Sequence, residues 1–144
     1  MLDSKFQVIA HQVNCQGVMG AGVAKAIKNK YPEVYDEYYS YCQDNLKDDI
    51  FGTCLVIEAD NGKIIANLFG QNEFGKGVIQ TNYKKLHSAL NELKDYMIEN
   101  GLITLSFPYM IGCGLAGGDI NIVQSLIRDV FDDTDIIYNF YNIN

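Results

Sequence analysis

His11 and Asn14 stand three residues apart, just ahead of a glycine-rich run, and Asp119 closes a second such run far along the chain. The first run is GVMGAGVA (17–24) and the second IGCGLAGGD (111–119), each lying between an apolar and an amphipathic segment. Glycine lets a backbone approach an anion closely. At the start of a helix the free N–H groups and the helix dipole both favour negative charge. One such turn is weak evidence; two in one domain point to a ligand with two linked phosphates. An imidazole at position 11 can hold or move a proton near pH 7. The Asn14 amide can bond sugar hydroxyls, and Asp119 can serve as a base. Each also has a structural reading: a strand-end histidine satisfied by backbone, a turn former bonding its own chain, and a helix N-cap. Cys15 and Cys113 sit in the two turns, where a helix N-terminus lowers thiol pKa; a small residue under the ligand is the simpler reading.

The elements that position these residues follow from periodicity and punctuation. FQVIAHQV (6–13) reads as a buried strand running into the first glycine turn, followed by a helix over Gly22–Lys30 with Val23, Ala26 and Ile27 inward. Pro32 opens a second helix carrying Tyr35, Tyr38, Tyr39 and Cys42 on one stripe. That stripe is read as packing rather than a base-stacking platform. Residues 52–59 and 63–69 form a hairpin about Asp60-Asn61-Gly62. After a polar loop (70–80), residues 82–100 repeat apolar side chains at Tyr83, Leu86, Leu90, Leu93 and Met97, and Gly101 ends that helix. His87, beside the apolar seam, is read as structural. LITLSFPYMI is the next buried strand; Val123, Leu126, Ile127, Val130 and Phe131 mark a last helix, and DIIYNFY a last strand. Strands and helices alternate except at the hairpin. The expected architecture is α/β, a single domain over 1–144 built as a three-layer α/β/α sandwich with a mixed central sheet. Ligands in such folds sit at the carboxyl ends of strands, where both glycine turns fall.

Composition narrows the function. The chain has 144 residues, nearly half apolar, and a formal charge of −7. An acidic surface with scattered lysines opposes sequence-independent nucleic-acid binding, so an anionic ligand must be held by local amides and helix ends. No apolar run approaches bilayer length, and the N-terminus lacks a signal-peptide layout. No membrane or nucleic-acid partner and a cytoplasmic location are expected. Cys15, Cys42, Cys54 and Cys113 show no paired spacing and read as reduced thiols; neither a metal site nor a cofactor is expected. Residues 112–117, GCGLAG, match G-x-G-x-x-G literally, but the chain ends with the next strand and no acidic residue follows it, against a nicotinamide dehydrogenase. There is no P-loop and no nucleophile elbow.

Together, HQVNCQGVMGAGVAKAIKNKYPEVY and FPYMIGCGLAGGD, with NLFGQ (67–71) and QTNYKKLHSAL (80–90), resemble the macrodomain family over almost the whole chain. The branch they are similar to contains ADP-ribose 1″-phosphate phosphatases, terminal ADP-ribose hydrolases and many phage and bacterial proteins. The resemblance implies ADP-ribose or ADP-ribose 1″-phosphate as partner. It places Asn14 on the distal ribose and Gly20, Ala21, Gly22 and Val23 around one phosphate. Ile111, Gly112, Cys113, Gly114 and Leu115 lie over the other, and His11 stands where a histidine is proposed as catalytic. Three departures follow. The aspartate that recognises adenine would fall before Met1, so the first strand is expected to be missing and one sheet edge open to a second copy or a partner strand. LFGQNEF lacks the lysine of the deglutamylating enzymes, and Ala116 replaces their acidic partner, with Asp119 three residues on.

The expected activity is hydrolysis at the distal ribose, foremost release of phosphate from ADP-ribose 1″-phosphate, with His11 and Asp119 as the catalytic candidates. The alternatives are a non-catalytic binding module for ADP-ribose or a related NAD-derived signal, and a hydrolase that removes ADP-ribose from macromolecules.

Overall fold

The computed structural model describes residues 5–20, 22–71, 81–111 and 117–141. Within them the chain alternates as expected: β1 (Val8–Gln12), α1 (Gly22–Lys30), α2 (Pro32–Asp44), α3 (Lys47–Ile50), β2 (Cys54–Glu58), β3 (Ile64–Leu68), α4 (Tyr83–Glu99), β4 (Thr104–Pro108), α5 (Ile120–Phe131) and β5 (Ile137–Tyr141). The sheet has the order β2-β3-β1-β4-β5, with β2 antiparallel to β3 and every other pair parallel. Among the described residues it has five strands, with β2 and β5 at its edges. The four-residue α3 went unread in the sequence because it is too short for periodicity to show.

Alternation along β1 sends its side chains into two separate cores. Val8 and Ala10 join α4 and α5 through Leu86, Leu90, Leu93, Met97, Val123 and Ile127. Ile9 and Val13 join α1–α3 through Ile27, Val34, Tyr38 and Ile50. The sheet is therefore covered on both faces, completing the three layers. Of the tyrosine stripe on α2, Tyr38 and Cys42 are buried, Tyr35 is half-buried and Tyr39 is 45% exposed. It is packing with a wet rim, as read. The helix ends follow local chemistry. Asn82 caps α4 by accepting from the Lys85 amide at 3.0 Å. At the far end Gly101 (φ +67°) lets its own amide reach Ile98 O and that of Leu102 reach Met97 O, a Schellman closure.

Gly70 shows how tightly the end of β3 is set. A Cβ there would lie 2.5 Å from Gln12 Oε1 and 3.1 Å from Leu86 Cδ1. Gln12 cannot simply swing aside, because its Nε2 donates to Gln71 Oε1 (3.0 Å) and Thr81 Oγ1 (2.9 Å). Gly70→Ala is therefore expected to cost about 1–3 kcal/mol by overpacking, measured by urea denaturation. Adding Gln12→Ala removes the clash, so the double variant should be more stable than the sum of the two single changes predicts. Strict additivity would show that the Gln12 side chain does not set the constraint.

Candidate functional site

Two features of the sheet open a crevice at the carboxyl end of β1. First, β1 and β4 are neighbours and parallel, so the two glycine turns leave adjacent strands in the same direction. The chain after β1 passes to the α1–α3 face, and the chain after β4 to the α4–α5 face. This is a topological switch point, where the connections diverge and leave room for a ligand. Second, the pairing itself stops early. β1 and β3 stay paired to Gln12↔Leu68, and Val13 N–H adds a bond to Leu68 O, whereas the β1–β4 register runs only from Val8↔Leu105 to Ile9↔Ser106. Beyond Ile9 no further residue pair joins β1 to β4, at the strand end that leads into the first glycine turn.

The first turn is held by Asn14, which is 5% exposed. Its Oδ1 accepts from the amides of Gln16 (3.0 Å) and Val18 (3.2 Å) and lies 3.0 Å from the Tyr38 hydroxyl, and its Nδ2 donates to Val18 O at 2.8 Å. Tyr38 also donates to Asn14 O at 2.7 Å. The amide thus ties its own turn, and its second N–H has no acceptor among the described residues. Gly17 (φ +81°) is required here twice over, since a Cβ would also lie 3.1 Å from Tyr39 Cδ1. Met19 is buried as an anchor, while Gly20 and Gly22, on either side of position 21, are exposed and Val23 is half-buried. Gly22 opens α1 at φ +57° with open space where a Cβ would be. Ala21 lies outside the described residues.

Of the second turn, Ile111 is buried and its amide bonds Pro108 O at 3.1 Å; Gly112, Cys113, Gly114 and Leu115 lie outside the described residues. Asp119 is exposed and caps α5, its Oδ1 accepting from the Asn121 amide at 2.8 Å. Its own N–H donates to the Tyr83 hydroxyl at 2.8 Å, which joins the start of α5 to the first turn of α4. The capping half of the sequence reading is thereby met, and one carboxylate oxygen is left toward solvent.

His11 lies deeper than its place in the sequence indicates. It is 1% exposed, on the α1–α3 face of β1, with its Nε2 2.7 Å from Asn67 Oδ1. An amide oxygen only accepts, so Nε2 carries the proton; Asn67 Nδ2 is oriented in turn by donating to Leu55 O at 3.0 Å. Nδ1 is buried with no partner among the described residues. Burial dominates the titration, lowering the pKa to about 4 against the partial offset of the Asn67 bond. His11 is a neutral imidazole near pH 7. Cys15 is buried too, its Sγ 3.6 Å from Gln71 O, and burial first of all pushes its thiol up to about 12. His87, outside the crevice, links α4 to α5 through Asp129 Oδ2 at 2.8 Å.

Sequence reasoning missed the partners of these residues. Asn67 on β3, Ser106 on β4 and Asn139 on β5 extend the His11 position into a polar row across the α1–α3 face, with Ser106 Oγ donating to Asn139 Oδ1 at 2.7 Å. The signal was present: VIAHQ, IIANL, TLSFP and IYNFY each break an apolar run with a polar residue.

The family model described as Macro domain matches residues 10–127. The chain belongs to the macrodomain family. Among its relatives, an ADP-ribose 1″-phosphate phosphatase of Candida albicans is 28% identical over 94% of this chain and 87% of its own length. The human ADP-ribose glycohydrolase OARD1 is 28% identical over 96% of this chain and 84% of its own. Of solved structures, Thermosipho africanus DarTG in complex with ADP-ribose superimposes with a TM-score of 0.82 at 24% identity, over 99% of this chain and 39% of that one. At that identity the likeness speaks for the fold. No helix among the described residues is long and apolar enough to cross a membrane.

The His11 titration has a measurable consequence for this macrodomain. In the unfolded chain the imidazole titrates near 6.5, and in the fold near 4. The unfolded state therefore takes up the proton first as pH falls. The contribution is complete above about 6.5 and lost toward 4, amounting to about 2 kcal/mol between pH 7.5 and 5. Urea denaturation of wild type and His11→Gln at both pH values isolates it. The variant should lose about 2 kcal/mol less on acidification, and equal losses would show that His11 is not held neutral.

Proposed function

We propose that this macrodomain binds ADP-ribose in the crevice between β1 and β4 and hydrolyses a substituent of the distal ribose, foremost the phosphate of ADP-ribose 1″-phosphate. The observation that carries the reading is that β1–β4 pairing ends early, at the carboxyl ends of the two strands that run into the glycine-rich stretches of the sequence. A diphosphate laid across that gap meets the amides of Gly20, Ala21, Gly22 and Val23 on one side. On the other it meets those of Ile111, Gly112, Cys113, Gly114 and Leu115. The relatives named as phosphatase and glycohydrolase support a hydrolase of ADP-ribose derivatives.

The residues divide the work. The second N–H of Asn14 is offered to a hydroxyl of the distal ribose, while its other bonds keep the first turn in shape. Backbone amides at the start of α1 stabilise charge on the phosphoryl oxygens as the group passes from ribose to water, each worth about 3 kcal/mol where such donors have been removed elsewhere. Asp119 is the exposed base: with one oxygen spent on the α5 cap, the other orients and deprotonates the attacking water. The new bond forms from water oxygen to phosphorus and the bond from phosphorus to the ribose oxygen breaks; the water proton passes to the carboxylate and from it to the leaving ribose oxygen, giving inorganic phosphate and the free ribose hydroxyl. His11, withdrawn from solvent, is a positioning residue that fixes the end of β1 against β3 through Asn67.

A binding module without turnover is the second reading, favoured by that same burial of His11. One experiment separates them: calorimetry with ADP-ribose, and phosphate release from ADP-ribose 1″-phosphate, for wild type and Asp119→Asn. Asparagine caps a helix as well as aspartate, so fold and ADP-ribose affinity should persist while turnover falls about 10²–10⁴-fold. Binding with no phosphate release by wild type would establish the binding module, and no binding at all would remove both readings.

A further inference from the structure

The chain has two prolines. Pro32 stands in the first turn of α2, where a helix needs no donor from it. Pro108 is different. It is buried at the end of β4, a strand with a neighbour on either side, β1 and β5. Proline has no N–H to give a ladder, and within sheets it belongs on edge strands or at bulges.

The bonding pattern identifies the missing rung. Gln7 O accepts from Ile64 N–H, and Val13 N–H donates to Leu68 O. The odd-numbered residues of β1 therefore turn their backbone groups to β3, and Val8, Ala10 and Gln12 turn theirs to β4. Along β4, Ile103 O accepts from Ile137 N–H at 2.7 Å and Tyr109 N–H bonds Tyr141 O at 2.6 Å. Odd residues there face β5, and positions 104, 106 and 108 face β1. The last β1–β4 pair is Ile9↔Ser106. In a parallel ladder the next rung runs from the N–H of residue 108 to Ala10 O. That residue is proline, and the pairing stops there. Neither strand ends at this level: β1 stays paired with β3 to Gln12↔Leu68, and β4 with β5 to Pro108↔Tyr141. Only their shared seam is left open. Pro108 O in turn accepts from the Ile111 amide at 3.1 Å, as the second glycine-rich run of the sequence begins. Ala10, 0% exposed, keeps a buried carbonyl that receives no N–H from β4, a cost that stability alone does not explain.

We propose that Pro108 is a positioning residue for ligand binding: by withholding one backbone donor it keeps the β1–β4 seam open at the strand ends where ADP-ribose seats. This rests on the ADP-ribose reading above and adds the residue that holds the site apart. A residue with an N–H at position 108 extends the ladder by one rung, and a ligand entering the seam must first break it. Affinity then falls by the net worth of one backbone hydrogen bond, about tenfold.

The test uses Pro108→Ala and Pro108→Val, the second of which nearly conserves the volume of the ring and so protects the packing. Three readouts are taken: amide hydrogen exchange, the NMR scalar coupling across the new hydrogen bond to the Ala10 carbonyl carbon, and calorimetry with ADP-ribose. Both variants should show a slowly exchanging amide at 108 coupled to Ala10, and bind ADP-ribose about tenfold more weakly than wild type. A freely exchanging, uncoupled amide at 108 overturns the proposal whatever the affinity, because the seam then ends for another reason. A protected, coupled amide with unchanged affinity overturns it too and leaves the ADP-ribose site standing. If wild type itself does not bind ADP-ribose, the proposed function falls and the positioning role with it.

Discussion

Everything at the functional end of this fold depends on where β1 stops pairing with β4. The strand order places β1 between β3 and β4, and the hand of the crossovers then decides which face each helix covers. From β1 the chain crosses to β3 in one direction; from β3 it crosses back over β1 to β4 and continues the same way to β5. A right-handed connection puts its helices on opposite faces for opposite directions of travel. Hence α1–α3 lie on one face, and α4 and α5 on the other. The divergence after β1 and β4 is a consequence of chirality acting on strand order.

Polar side chains set how far that divergence reaches into the sheet. Successive residues at the end of β1 point to opposite faces, and both are bonded toward β3: His11 to Asn67 on one side, Gln12 to Gln71 and Thr81 on the other. The β1–β3 seam is stitched on both faces up to its last residue. No comparable bond among the described residues holds the end of β1 to β4. The end of β1 is thus stitched on its β3 side and unpaired on its β4 side, where it leads into the first glycine turn. An acidic chain needs such local devices, because its long-range field repels an anion while short-range amides and helix ends attract it.

Much of this was legible in the sequence. The hairpin at Asp60-Asn61-Gly62, the long helix capped by Asn82 and ended by Gly101, and the first strand–glycine–helix turn each carry a local chemical mark that no tertiary contact had to override. The three-layer architecture followed from their alternation. The depth of individual residues was not legible. His11 looked like a strand-end group because periodicity gives the face of a side chain but not what covers that face, and the cover comes from helices later in the chain.

The burial of His11 bears on how the site divides stability from chemistry. A histidine that must shed its charge to fold is costly to protonate, and the fold reinforces its neutral form through an amide that can only accept at Nε2. A general base needs the opposite: a lone pair within reach of water and a protonated form the surroundings tolerate. Nδ1 meets neither condition, being buried without a partner in a row of neutral polar groups. Asp119, by contrast, is exposed at the start of α5, its Oδ1 accepting from the Asn121 amide. The exposed carboxylate thus stands on a helix end, and the rigid polar contacts of His11 lie beneath the sheet surface. Protonating position 11 would require the fold to absorb a buried charge.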